Sequence, residues 1–438
     1  MVQHPIVKGA TARTTKRMKT AAAVQAYQKE WFLNLQDRVK QGEPCVFING
    51  DSPFTEIFQA MDIPTIVNAW WGAIISAKRL TGYYRDVADK AGYGQFGPMY
   101  PQLGQCAQCA GRMVQVLHQD PENAPYGGLP KLAAIVSPRE GCQGTAKASD
   151  LLVREYQRRG FDIPVFNMES SATTPYYPRY PRWWEKIGDH WDEVVEPYRV
   201  DYVVEELKEL IKFLEVTTGK TFNRERLLEV LELANEQETY WRQARDLIAR
   251  TVPCPVALVD HLSNYPAQWH RGTTQGRDFA RMFYEEVKEI IARGEAVCPG
   301  EKLRLRWVKT GFWADTAFYQ YFEEKYGAVF VCSWYLSIAS DGYRRYPINN
   351  DPLRAIASRQ VFLGLYAGPG WDIKEARLHQ CNGAVMVKAV CPNDGVAREL
   401  NRQAFEAAGI PMLLIDPEAG SEGIRAALSN FIETRLLS

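Results

Sequence analysis

Nine cysteines are spread over 438 residues, and four of them, Cys106, Cys109, Cys142 and Cys391, fall where a predicted strand or turn hands over to a helix. A thiol beside a helix N-terminus sits at the positive end of the peptide dipoles. That lowers its pKa and favours the thiolate, the form that binds metal. Cys142 follows KLAAIVS (131–137) through a Pro-Arg-Glu-Gly turn and precedes GTAKASDLLVREYQ. Cys391 follows GAVMVKAV (383–390) directly and precedes GVARELNRQAFEAAG. Both occupy carboxyl ends of strands, the edge at which open α/β sheets bind ligands, so two such sites in two domains could face one cleft. The chemistry this suggests is ligation of an iron–sulfur cluster.

Cys106 and Cys109, in GQCAQCAGRMVQVL, open another helix, and thiols three apart in a first turn point to the same side. If one of them joins Cys142 and Cys391, three thiolates leave one iron open to substrate or water. If both join, the cluster is closed and suits electron transfer. The sequence leaves both arrangements open, and zinc as well, because a lone CxxC also serves zinc and thiol redox sites. Against zinc, no second CxxC is present and only His118 and His379 lie near the cysteine sites. Cys381 is separated from Cys391 by eight strand residues, or ~26 Å at ~3.3 Å per residue, so these two do not share a cluster. Cys45 and Cys332 fall inside predicted strands as small buried residues. Cys254 and Cys298 lie near prolines in loops and are given no role.

The rest of the chain must position these thiols. A chain of this length buries enough surface for two or three domains without disulfides. Lys plus Arg and Asp plus Glu are both 52, which removes the electrostatic case for nucleic acid or an anionic membrane as partner. No run approaches the ~18 apolar residues of a membrane helix, and no apolar leader with a cleavage site begins the chain. With an odd number of cysteines, the expectation is a reducing, cytoplasmic compartment. Lys8 to Lys19 (KGATARTTKRMK) is basic and expected to be a solvated, disordered arm.

Apolar runs predict strands at CVFING (45–50), IPTIVNAWW (63–71), KLAAIVS (131–137) and IPVFNME (163–169), with helices over 54–61 and 144–160 between them. From about Val200 to Arg293 the period changes to 3.6 residues, giving a helical insert. Strands return at LRLRWVK (303–309), AVFVCSWYL (328–336), GAVMVKAV (383–390) and IPMLLID (410–416), before a last helix from about Ser421. The expected fold is α/β: two doubly wound, parallel-sheet, Rossmann-like domains with a helical insert. The expected boundaries are an arm at 1–30, a first α/β domain at 31–198, a helical domain at 199–295 and a second α/β domain at 296–438. No repeat shows at motif level, although the two α/β halves could share a fold.

Four stretches carry a likeness: SPFTEIFQAMDIPTIV (52–67), GQCAQCAGR (104–112), CQGTAK (142–147) and VKAVCPNDGVARELNRQAFEAAGIPMLLID (387–416). Over most of residues 40–438 the chain resembles the 2-hydroxyacyl-CoA dehydratase / benzoyl-CoA reductase family, whose subunits hold one cluster by three separated cysteines. Through NAWWGAIISAKRLTGYY (68–84) and overall length it looks most like the B-type subunit of an ATP-dependent benzoyl-CoA reductase. One departure is that the family has a single first cysteine, whereas here Cys106 and Cys109 compete for that place.

The resemblance implies a [4Fe–4S] cluster on Cys142, Cys391 and one or both of Cys106 and Cys109. It implies dearomatisation of benzoyl-CoA to cyclohexa-1,5-diene-1-carbonyl-CoA with electrons from ferredoxin. Clusters of this type reach roughly −700 mV, low enough for such chemistry. The implied assembly is a pseudo-symmetric heterodimer with a related cluster-bearing subunit, served by ATPase subunits. This chain has neither GxxxxGK[ST] nor GxGxxG after its first strand, so ATP hydrolysis belongs to the partners. The alternatives are a 2-hydroxyacyl-CoA dehydratase subunit, which eliminates water through a ketyl radical, and a non-catalytic electron-transfer or scaffold subunit with a closed four-cysteine cluster.

Glu56 occupies the acidic position of the family's first helical motif. It either orients substrate or moves a proton, or only favours the helix dipole. Trp70, Trp71 and TTPYYPRYPRWW (173–184) could line an aromatic or adenine-binding channel, with Lys78, Arg79, Arg179 or Arg182 at CoA phosphates. Packing at a subunit interface is the rival reading of the same residues.

Overall fold

The structure is a computed structural model that describes residues 9–15, 17–50, 54–90, 122–139, 143–169, 180, 182–186, 190–309, 311–313, 315–342, 344–345, 351–387, 394–416 and 419–438. Cys106, Cys109, Cys142, Cys391 and Arg179 lie outside the described residues.

Ten strands are described: β1 (Thr11–Ala12), β2 (Val46–Ile48), β3 (Thr65–Val67), β4 (Ala134–Arg139), β5 (Val165–Glu169), β6 (Glu295–Ala296), β7 (Leu303–Val308), β8 (Ala328–Ser333), β9 (Gly383–Val387) and β10 (Met412–Ile415). Strands β2, β3, β7, β8 and β9 are buried along their whole length; VFI, AVFVCS and GAVMV are accordingly near-continuous apolar runs, whereas LRLRWV carries two buried arginines. Eight of the described strands form two four-stranded sheets, β3-β2-β4-β5 and β10-β9-β7-β8, and every pairing in both is parallel. The expected α/β class with parallel sheets is what the chain adopts.

The two sheets share one topology. In each, the first strand in sequence (β2 or β7) lies between the second (β3 or β8) and the third (β4 or β9), with the fourth (β5 or β10) outside. The connections therefore reverse direction between β2 and β4, paired Ile48 to Val136, and between β7 and β9, paired Val308 to Met386. A crevice opens at the carboxyl end of such a switch point.

Two predicted strands are too long. IPTIVNAWW is strand only to Val67, and Asn68–Ala77 is helix. AVFVCSWYL is strand to Ser333, whose hydroxyl caps the Trp334–Asp341 helix by accepting from the Leu336 N–H at 3.3 Å. In both places the chain passes from strand to helix with no polar turn, and an unbroken buried apolar run does not distinguish the two states.

Between the sheets come the predicted helices, chiefly Pro197–Thr218, Arg224–Arg250 and Thr274–Ala292. Pro197 starts the first and Gly219, at φ 69°, ends it in the left-handed conformation. Asn223 caps the second through its side chain, which accepts from the Arg226 N–H at 2.9 Å. The third packs along the second, with Trp241 and Phe283 rings 4.6 Å apart. Gly276 permits the third helix to pack closely, because a Cβ there would stand 2.7 Å from Gln237 Oε1 of the second helix and 2.3 Å from the His270 carbonyl oxygen of the segment before it. Among the described residues, no helix is long and apolar enough to cross a membrane.

The basic N-terminal segment is docked rather than a free arm. β1 pairs in parallel with β6, and Arg13 reaches Asp260 at 2.7 Å with both side chains largely buried. The Glu286 carboxylate accepts from the backbone N–H groups of Lys19 and Thr20, at 2.7 and 2.8 Å, and so caps the Lys19–Lys40 helix. Buried partners for these charges, supplied from some 250 residues away, outweigh the solvation expected of a basic run.

Candidate active site

At the carboxyl edge of the first sheet, β4 ends at Arg139 and the Gln143–Arg158 helix begins four residues later. Cys142 is the residue before that helix. In the second sheet β9 ends at Val387 and the next helix starts at Asp394, so Cys391 falls in the corresponding connection. In sequence, each of these cysteines stands between the third strand of its sheet and the helix that follows, outside the described residues. Cys381 precedes β9, at the opposite end of the strand from Cys391.

Polar groups line the same edges. Asn49 and Asn68 are buried side by side, Asn68 Nδ2 donating to Asn49 Oδ1 at 2.8 Å, and the buried Ser137 hydroxyl has no hydrogen-bond partner among the described residues. At the second switch point Lys309 takes a φ of 66°, a strained conformation for a side-chain-bearing residue. Its ammonium donates to the Tyr366 carbonyl at 2.9 Å and lies 3.5 Å from Asp372. Trp313 Nε1 and the Gly311 N–H both donate to the Tyr335 hydroxyl, at 3.0 and 2.9 Å, building an aromatic wall after β7.

Glu56 sits on the short Thr55–Ala60 helix beyond β2 and is fully buried. Its Oε1 accepts from Arg271 Nε and from Arg345 Nε, each at 2.9 Å, while Arg271 Nη2 also donates to Thr55 Oγ1 at 3.2 Å. Burial pushes the carboxyl up, but the charges of Arg345 and Arg271 outweigh it and hold Glu56 below the ordinary carboxylate range. The carboxylate is therefore ionised and joins three parts of the chain: the first sheet, the helical segment and the residues after the Trp334–Asp341 helix. Neither arginine was singled out from sequence. Their partner is more than 200 residues away, beyond the reach of a local pattern.

A second buried network surrounds β7. Arg306 is ion-paired with Asp372, donates to Ser337 Oγ at 3.1 Å and approaches Cys332 Sγ at 2.6 Å. Cys332 is buried as expected, yet it is a hydrogen-bonding partner rather than an inert apolar group. Burial pushes its thiol up to about 11. Cys332, Glu375 and His379 bring ligand atoms within 4.8 Å of one another, a grouping that could suit a metal ion. The charges already present argue otherwise. Glu375 is paired with Lys374 at 2.6 Å and Arg245 at 3.3 Å, and Arg306 is directed at the sulfur. A cation placed there would face three cationic side chains, so the grouping is an ion-pair network. Arg304 and Arg306 inside LRLRWV were the sequence signal for it, since two charges in a fully buried strand demand partners.

The expected aromatic channel is not formed by Trp70 and Trp71. Both are buried in the core, with Trp70 edge-on to Trp31 at 4.9 Å and Trp71 stacked near Phe32 at 5.2 Å. They face inward because they lie on the helix that follows β3. Lys78 and Arg79 are exposed, Lys78 over the Tyr126 ring at 5.1 Å. In the TTPYYPRYPRWW stretch, Trp183 is buried against Tyr366 at 4.7 Å, whereas Arg182 and Trp184 line a large cavity.

A family model described as 2-hydroxyglutaryl-CoA dehydratase, D-component, matches residues 55–435. The chain belongs to this family. Among curated proteins this dehydratase-family chain is similar to the (R)-2-hydroxyisocaproyl-CoA dehydratase alpha subunit of Clostridioides difficile, with 24% identity over 257 residues, 56% of this chain and 60% of that protein. It is also similar to the (R)-phenyllactyl-CoA dehydratase alpha subunit of Clostridium sporogenes, with 27% identity over 112 residues, 25% of this chain and 27% of that protein. The matches thus span less than two thirds of either relative. The dehydratase-family region takes in the second sheet, strands β3, β4 and β5 of the first, Glu56 and the four cysteines singled out from the sequence, and leaves out β2 and the docked N-terminal segment.

Proposed function

We propose that the chain is a cluster-bearing subunit of a 2-hydroxyacyl-CoA dehydratase, which removes water from an (R)-2-hydroxyacyl thioester. The observation that carries this reading is the family match over 55–435, a region that contains the two topologically equivalent strand ends beside Cys142 and Cys391. Both relatives are named as dehydratase alpha subunits, which favours dehydration over reduction of benzoyl-CoA. The likeness of 68–84 to the reductase subunit has less behind it, since Trp70 and Trp71 serve core packing.

In this proposal Cys142, Cys391 and one or both of Cys106 and Cys109 hold a [4Fe–4S] cluster; in sequence Cys142 comes one residue and Cys391 three residues before a helix, a position that favours the thiolate. When bound, the cluster supplies a single electron to the thioester carbonyl at low potential. The chain's own residues set the geometry. Glu56 enters as a positioning carboxylate: clamped by two guanidinium groups, it fixes the segment after β2 against Arg271 and Arg345. The partners in the proposal are a second, related subunit and an ATP-hydrolysing electron donor, in the cytoplasm. The proposed domain boundaries are 31–198, 199–295 and 296–438.

The test is turnover of (R)-2-hydroxyisocaproyl-CoA and (R)-phenyllactyl-CoA by the chain co-expressed with its partner without oxygen. Formation of an enoyl-CoA with only catalytic ATP and reductant supports the proposal. Ring reduction of benzoyl-CoA with stoichiometric ATP restores the reductase reading, and zinc or no metal removes both.

A further inference from the structure

Three adjacent strands of the first sheet turn from apolar to polar at one level. β2 ends in Phe47–Ile48 and is followed by Asn49, β3 ends in Ile66–Val67 and is followed by Asn68, and β4 passes from Ile135–Val136 to Ser137. Ile48 pairs with both Val67 and Val136, and the Asn49 N–H donates to the Val136 carbonyl at 2.8 Å. Asn68, Asn49 and Ser137 therefore follow in one row across β3, β2 and β4. Ser137 pairs in turn with Asn167, which carries the row to the edge strand β5. This is the carboxyl end of the sheet, beside the reversal between β2 and β4, where open α/β sheets bind ligands.

Burying such a row is costly unless its groups are paired. Asn49, Asn68 and Ser137 are each 0% exposed. Asn68 Nδ2 donates to Asn49 Oδ1 at 2.8 Å, but Asn68 Oδ1 and the Ser137 hydroxyl have no hydrogen-bond partner among the described residues. An apolar residue at either position would spare the fold that cost, so two such orphans at one strand edge point to a ligand. Their chemistry says which kind. The row carries no charge, so it suits an uncharged group. Asn68 Oδ1 only accepts and needs an O–H or N–H, whereas the Ser137 hydroxyl can donate to a carbonyl. β3 and β4 flank β2 and so stand roughly 10 Å apart, a span that two neighbouring oxygens with one hydrogen bond each can bridge. A 2-hydroxyacyl thioester carries a hydroxyl and a carbonyl on adjacent carbons.

We propose that Asn68 and Ser137 are specificity-determining residues that meet these two oxygens: Asn68 Oδ1 accepts from the 2-hydroxyl, the Ser137 hydroxyl donates to the thioester carbonyl, and Asn49 fixes the Asn68 amide. The choice of a 2-hydroxyacyl group rests on the dehydratase reading.

The oxygen-free complex with the partner subunit, held without ATP or reductant, is titrated calorimetrically with (R)-2-hydroxyisocaproyl-CoA, with isocaproyl-CoA, which lacks the hydroxyl, and with coenzyme A alone. Wild type is expected to bind the hydroxy thioester about tenfold or more tightly than isocaproyl-CoA, because the latter leaves Asn68 Oδ1 buried and unpaired. Asn68→Ala should erase that preference. Ser137→Ala should weaken both thioesters about tenfold and leave coenzyme A unchanged. Without ligand, Ser137→Ala should melt at the wild-type temperature or above it, since it removes a hydroxyl that nothing pairs. A lower melting temperature would show that protein or water already satisfies the hydroxyl, and overturns the proposal. Equal binding of the two thioesters by wild type, or a Ser137→Ala complex that binds them as wild type does, overturns it as well, and both results stand even where Asn68→Ala fails to fold. Enoyl-CoA formation without any preference for the hydroxy thioester removes these contacts and keeps the dehydratase reading. A preference without enoyl-CoA formation keeps the contacts and removes the reaction.

Discussion

Glu56 Oε1 accepts a hydrogen bond from Arg345 Nε at 2.9 Å, across 289 residues of sequence and with neither side chain exposed. A carboxylate taken wholly out of water is costly, and here the cost is offset by two guanidinium groups, Arg271 being the second. Such a pair adds little over an apolar replacement of both partners. Removing one partner is another matter, because the remaining charges are left buried.

Glu56→Gln is therefore expected to destabilise the chain by about 3–5 kcal/mol, the range for breaking a buried ion pair from one side. Denaturant unfolding followed by circular dichroism measures this, with Glu43→Gln, a half-exposed surface carboxylate paired to Arg38 at 2.6 Å, as the control expected to change stability by less than ~1 kcal/mol. Equal effects of the two variants would remove the clamp from the account of the fold. Glu56 is held below the usual carboxylate range, so its contribution is present above the pKa of an unfolded glutamate and is lost as pH falls through the lower folded value.

Glu238 behaves oppositely. It is buried beside Arg242, Arg359, Arg345 and Asp341, and burial raises its carboxyl to about 7 despite the nearby arginines. Unfolded, it releases its proton near pH 4.5; folded, it keeps it to about 7. Between these values the folded state binds more protons, so this group's contribution falls as pH rises and levels off above 7. His261, His270 and His379, lowered to about 3 by burial, impose an opposing loss as pH falls below 6.5, so the wild-type profile mixes the two trends. The stability difference between Glu238→Gln and wild type isolates the first trend. It should shift in favour of the variant by about 3 kcal/mol from pH 4.5 to 7. A difference that stays flat with pH would mean that Glu238 is ionised in the folded protein.

The strands were legible because a parallel sheet buried on both faces writes itself as short, nearly unbroken apolar runs, as VFI, AVFVCS and GAVMV do. What was not legible depends on distance or on missing punctuation. NAWW reads as strand because no polar turn separates Val67 from Asn68. The basic run before Lys19 reads as solvated because its partners, Asp260 and Glu295–Ala296, are supplied by tertiary structure. For the candidate site, the strands and helices on either side of Cys142 and Cys391 were readable locally, while the two cysteines lie outside the described residues. The Arg271–Glu56–Arg345 clamp was not, since only folding brings its members together.

Gly276 gives a test of helix packing that is independent of charge. A Cβ there would meet the His270 carbonyl oxygen at 2.3 Å and the Gln237 Oε1 at 2.7 Å. The first contact is to backbone, which cannot rotate away. Gly276→Ala should cost about 1–3 kcal/mol, the usual range for overpacking, although alanine is the better helix former. Gly219→Asn, at a left-handed helix end with nothing within 4 Å, should be nearly neutral by comparison. If Gly276→Ala were as stable as wild type, the Thr274–Ala292 helix would have to stand farther from residue 270 than described.

The cysteines offer the sharpest discrimination between an open and a closed cluster. In the proposed cluster, Cys142 and Cys391 are the ligands that follow, in sequence, the third strand of each of two sheets with the same strand order, so replacing either by alanine is expected to abolish iron binding. Cys106 and Cys109 have no such equivalence, being two candidates three residues apart for what the family supplies once. Anaerobically prepared Cys106→Ala and Cys109→Ala chains, assayed for iron and acid-labile sulfide, separate the cases. Loss in only one variant leaves three thiolates and one iron free to meet substrate, as dehydration at the cluster requires. Loss in both closes the cluster with four thiolates and turns the chain into an electron carrier. Cys45→Ala is the control. Its thiol is fully buried and pushed up to about 12, so it should retain full iron content and lose only the packing of one sulfur atom.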